Sequence, residues 1–192
     1  MPGRPLDTWT LDSSDGDLLV HTGVTGRAAK MGHRLTIKMD SWHATVRCEG
    51  NEPAAVELIV DVDSLQVLRG EGGVTPLSGP EKALVRSNAL KTLGAERFPQ
   101  ILFAADDIGQ TNSGYRLDGM LEIHGQPRRH VIDLGVEDLG DRWRLSCDAD
   151  VRQSEFGVKP YSMLMGAMKV ADSVTVSFTA ERSKNAQGAC PK

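Results

Sequence analysis

The chain has 192 residues and a mass of 20.8 kDa, enough for one domain that buries a sizeable core without disulfide or metal staples. Hydrophobic residues at 40% and charged residues at 25% exclude a disordered chain. A net charge of −4 with no long run of Lys or Arg argues against a nucleic-acid surface, which rests on clustered cations.

The first seven residues, Met1 to Asp7, contain no apolar h-region, so no secretory signal is read here. A strand is expected over Asp17 to Thr22, then a short helix over Gly26 to Met31. Leu35 to Met39 alternates apolar and polar residues, and Trp42 to Cys48 follows after the turn at Asp40-Ser41. Val56 to Val62 is the next strand. The glycine-rich run Arg69 to Pro76 reads as a flexible loop. Ser78-Gly79-Pro80-Glu81 has the form of a capping box with Pro in the first turn, Val85, Ala89 and Leu93 fall at helical spacing, and Gly94 supplies the stop.

Strands return at Gln100 to Ile108, Tyr115 to Gly119, His130 to Leu139, Trp143 to Val151 and Val174 to Glu181. In Trp143 to Val151 the odd positions are apolar or small and the even ones polar, which gives one dry face and one wet face. That pattern is the antiparallel signature. About eight or more such strands need their dry faces to meet in a sandwich or a closed barrel; their number and length favour the barrel, which also removes their edges. The tail from Ser183 onward is expected to fray.

No stretch approaches the ~18 apolar residues of a membrane span, so the protein reads as soluble. Cys48, Cys147 and Cys190 are odd in number and far apart, which suggests neither a disulfide framework nor a zinc site and points to a reducing, cytoplasmic compartment. No nucleophile elbow, P-loop or dinucleotide fingerprint is present, so no catalytic residue, metal or cofactor is assigned. His33 and His43 would approach each other across Asp40-Ser41 if their strands pair, the basis of a minor zinc-hydrolase reading. Arg128-Arg129 reads as solvated charge at a strand start, with a grip on phosphate or carboxylate as the rival. With aromatics at only 5%, aliphatic side chains must fill the barrel, and an underfilled apolar barrel is a natural ligand site.

Several motifs resemble those of the YceI-like family of bacterial lipid-binding barrels. They are Phe98-Pro99-Gln100-Ile101-Leu102-Phe103, the hairpin Gly119 to Gly125 followed by Arg128 and Val131, Arg152 to Gly157, and Arg86 to Leu90 on the helix, with Trp9 opening the first strand. The resemblance implies a mainly β fold: an extended antiparallel, lipocalin-like barrel of eight strands with one or two short helices near its mouth. It places a single domain over residues 1–182 and a flexible tail over 183–192. It also implies noncatalytic binding, transport or sequestration of a long-chain isoprenoid or fatty-chain lipid.

On that reading Leu35, Ile37, Val46, Leu58, Val60, Phe103, Leu121, Trp143, Leu145 and Phe178 line the barrel. Trp42, Phe156, Met163 and Met165 adapt around the chain, the methionines through flexible thioethers. His33, Arg86 and Arg152 are candidates for a polar head group. Two rival readings are carried beside it: a filled barrel that works as a protein-interaction module or homodimer, and a lipid-modifying enzyme using His33 or His43.

Overall fold

Alternation in sequence becomes alternation of faces in the computed structural model, which describes residues 7–185. In the strand Arg142–Arg152, Leu145 and Val151 are buried while Ser146, Asp148 and Asp150 are exposed. The strands are, in chain order, β1 (Asp7–Asp12), β2 (Gly16–His21), β3 (Val24–Thr25), β4 (His33–Met39) and β5 (Trp42–Glu49). β6 (Glu52–Asp61), β7 (Leu65–Gly72), β8 (Gln100–Gln110), β9 (Gly114–Ile123) and β10 (Gln126–Asp138) follow. The set ends with β11 (Arg142–Arg152), β12 (Ser162–Met163), β13 (Met168–Val170) and β14 (Ser173–Ser183). The helix α1 spans Gly79–Leu93, and the short helix expected near Gly26 is a 3-10 turn at Ala29–Met31.

Eleven strands form one antiparallel sheet in the order β1-β5-β6-β8-β9-β10-β11-β14-β2-β4-β7, and β12-β13-β3 form a small second sheet. The count exceeds the expected eight. One surplus strand is β7, which takes up Arg69 to Gly72 of the expected loop and pairs with β4. Gly70 and Gly72 conceal it in the sequence, because glycine carries no side chain to alternate. Of the tail expected to fray from Ser183, Ser183 closes β14 and the Lys184 N–H donates to the Asp141 carbonyl at 3.0 Å, while residues 186–192 lie outside the described residues. Among the described residues, no helix is long and apolar enough to cross a membrane.

Side chains engage backbone carbonyls on both edge strands. The carbonyls of Leu65 and Leu68 on β7 accept hydrogen bonds from Arg86 Nε at 2.8 Å and Lys82 Nζ at 2.7 Å, both on α1. On β1 the Thr10 carbonyl accepts one from Arg182 at 2.6 Å. Backbone groups that would otherwise invite another strand are thereby occupied.

The capping box forms as the sequence indicates. Ser78 Oγ accepts from the Glu81 N–H at 3.4 Å, and a Glu81 carboxylate oxygen accepts from the Ser78 N–H at 2.7 Å. Gly94, at φ +62°, ends the helix. Ser78→Ala should therefore cost about 1 kcal/mol, read as a lower denaturant midpoint at unchanged slope. α1 packs Ala89, Leu90 and Leu93 across one end of the barrel and leaves Leu84 outside.

Cys48, 1% exposed, is disulfide-bonded, contrary to the expectation of three unpaired thiols. With that bond, the cysteine content no longer argues for a reducing compartment.

Candidate ligand cavity

Inward side chains of nine strands face a common interior cavity of about 130 Å³. β1 contributes Trp9 and Leu11, β2 Leu18, β5 Ala44 and Val46, and β6 Pro53, Val56 and Leu58. Phe103 comes from β8, Tyr115 and Leu117 from β9, and Ile132, Leu134 and Val136 from β10. β11 adds Leu145, Cys147 and Ala149, and β14 adds Val176 and Phe178. These nine are the first nine in the sheet order, so the row from β1 to β2 curls round one lumen. β1 and β2 are joined by the turn after Asp12 rather than by a ladder, and β4 and β7 extend the sheet beyond the wall.

The wall carries no charged side chain. Ile132, Leu134, Val136, Val176 and Phe178 point inward yet stay only half-buried, as side chains bordering unfilled space do. Pro53, Tyr115 and Val136 lie beside the β5–β6, β8–β9 and β10–β11 turns, at the end opposite α1.

Two polar groups in the wall are tuned by burial. Tyr115 is held above the usual phenol range, mainly by desolvation and then by the Glu52 carboxylate. Burial pushes the Cys147 thiol up to about 11, and the neighbouring Asp148 charge adds to the shift. Its alkylation by a maleimide should be slow near neutral pH and accelerate as pH rises towards that value. The same shift bears on stability. The unfolded thiol ionises near 9.0 and the folded one near 11, so the native state keeps its proton longer. Its contribution is complete below 9.0 and is lost as pH climbs to about 11, a loss of about 3 kcal/mol. Denaturant titrations of the native protein and Cys147→Ala at several pH values isolate this difference.

The residues expected to line the barrel divide into groups. Val46, Leu58, Phe103, Leu145 and Phe178 stand in the wall. Trp42 backs it, edge-on to Phe178 with ring centroids 5.3 Å apart. Ile37 and Val60 belong to the same buried cluster, with Leu35 packed against it. Leu121 and Phe156 lie in a second cluster with Val151 and Val158. Trp143 is half-buried beneath the Lys184 ammonium, 4.1 Å from the ring centroid. Met163 and Met165 are exposed and stand outside the wall.

Of the head-group candidates, His33 Nε2 is 2.7 Å from the Thr75 carbonyl. Arg86 is engaged by the Leu65 carbonyl and by Asp63, so it anchors α1 to the β6–β7 connection. Arg152 is exposed at the end of β11. Arg129 pairs across the hairpin with Asp118 through Nε at 2.8 Å. His33 and His43 do not face each other: β4 pairs with β2 and β7, and β5 with β1 and β6. The premise of the zinc reading fails, and no group of three or more possible metal ligands occurs among the described residues.

The motifs behind the family resemblance meet at the α1 end of the barrel. The two-residue β9–β10 turn places His124 and Gly125 at φ +54° and +69°, the left-handed pair of a type I′ hairpin. A Cβ on Gly125 would come within 2.6 Å of Phe98. The Phe98 and His124 rings meet at a tilt with centroids 4.5 Å apart, and a Cβ on Gly94 would come within 3.2 Å of both. Phe156, 2% exposed, is buried at the same end. These residues gather at that end, while most of the lumen wall comes from positions outside the motifs, Trp9 and Phe103 being the exceptions. Ala149 and Cys147 were legible from their phase with Leu145, and Val176 from its phase with Phe178.

A family model described as the YceI-like domain matches residues 9–182. Among solved structures, the chain is similar to BcnA of Burkholderia cenocepacia at 15% identity and a TM-score of 0.67, over 90% of this chain and 99% of that one. It is also similar to the YCEI protein of Campylobacter jejuni at 13% identity and a TM-score of 0.58, over 78% of this chain and 84% of that one. At these identities the likeness establishes the fold. None of the curated proteins compared with the chain matches it.

Proposed function

The chain belongs to the YceI-like family, matched from residue 9 to residue 182, and on that premise we propose that it binds the apolar chain of an isoprenoid or fatty lipid without chemical turnover. The observation that carries this reading is the uncharged lumen walled by nine strands. Burying a chain there is worth about 0.8 kcal/mol per methylene before the costs of binding. A filled barrel, the rival reading, leaves no such space.

The lumen's size sharpens the proposal. Pockets that enclose a whole ligand measure roughly 300–1,000 Å³, whereas this one is about 130 Å³. A long chain therefore enters only as half-buried wall side chains such as Leu134, Val136 and Phe178 turn aside. Such adjustment suits side chains that already border empty space. An environment-sensitive fluorescent fatty acid should brighten on mixing with the protein and be displaced by a polyprenol. Failure to brighten, in a protein shown to be folded, would overturn the proposal.

A further inference from the structure

We propose that the end of the molecule carrying the small β12-β13-β3 sheet docks on an anionic lipid bilayer. Residues 22–32 and 157–171 build this region, and they contain Arg27, Lys30, Lys159 and Lys169 but no Asp or Glu, in a chain of net charge −4. All four cations are exposed. None of them enters an ion pair among the described residues, whereas seven other Lys and Arg side chains pair with carboxylates; Lys184 does so as well.

The two segments form one surface. Lys169 and Val170 pair with Thr25 and Val24, and the Ala28 N–H donates to the Ala167 carbonyl at 2.9 Å. The same two segments expose Met31, Met163, Leu164 and Met165, from 47% to 108%. Leu164 and Met165 hold φ near +52° and +55°, a left-handed turn that presents both side chains to solvent.

Exposed apolar side chains and unpaired cations on one surface match the two attractions of a bilayer interface, acyl boundary and anionic head groups. A second copy of the chain fits less well. A two-fold contact sets a patch against itself, and here it would oppose four cations to four cations. Docking stands on this surface alone, so it and the lumen's ligand fail separately.

The test is flotation of the full chain with phosphatidylcholine vesicles, with and without phosphatidylglycerol. Binding is expected to the anionic vesicles and to weaken in high salt. Each cation contributes about fivefold to partition, so Lys159→Glu with Lys169→Glu should lower it about 25-fold or more. Leu164→Asp with Met165→Asp should lower it about tenfold or more, with near-ultraviolet circular dichroism and fatty-acid probe binding unchanged. Partition that is absent, or is the same for both double variants as for the native protein, overturns the proposal. So does a change in sedimentation velocity without a change in vesicle binding, which would assign the surface to self-association.

Discussion

Ala149→Phe is expected to fold and to lose binding of an apolar-chain probe by more than tenfold. Ala149 offers the wall a single methyl on β11, across from Val176 on β14. An apolar cavity of about 150 Å³ is known to accept benzene, so one phenyl ring occupies most of the 130 Å³ present here. Burying the ring gains roughly 1.5–3 kcal/mol, and fitting it into the wall costs about 1–3 kcal/mol. Stability should thus change little while binding collapses. A barrel whose interior were already packed would respond in the opposite way, losing about 1–3 kcal/mol to overpacking with no change in probe binding. Fluorescence titration and denaturant unfolding on one preparation separate the two outcomes.

Trp42→Ala should cost about 3–5 kcal/mol, a large share of a domain's stability. The indole is 3% exposed, belongs to the larger core cluster and supports Phe178 edge-on at the lumen wall. Its Nε1 is buried without a hydrogen-bond partner. Trp42→Phe removes that unpaired donor and keeps most of the apolar area, so it should cost clearly less than the alanine variant. Equal losses for the two would show that the indole is held by something other than packing. Urea unfolding of both variants supplies the comparison.

How much of this was legible in the sequence depends on what each residue's neighbours could reveal. Period-two alternation located β11 and β14 and the inward phase of Leu145 and Phe178, because a half-buried strand writes its burial into the chain. Ser78, Glu81 and Gly94 marked the helix ends, since capping is local chemistry. Strand β7 was hidden because its glycines and exposed Leu68 break alternation, and its place depends on pairing with distant β4. The supposed approach of His33 and His43 failed for a related reason. A two-residue connection suggests a hairpin, but at Asp40-Ser41 the chain leaves one part of the sheet for another. Met163 and Met165 read in the sequence as adaptable apolar groups, and only the fold places them on the outer surface. Composition indicated an aliphatic interior, while the size of the space left inside follows from packing.

The most direct measurement is native mass spectrometry of the protein as purified, followed by organic extraction and identification of what is released. The proposed function predicts an adduct that extracts as a prenyl or acyl species, or one that forms on incubation with polyprenols and fatty acids and is lost in Ala149→Phe. A bare mass before and after that incubation, from folded protein, would contradict it.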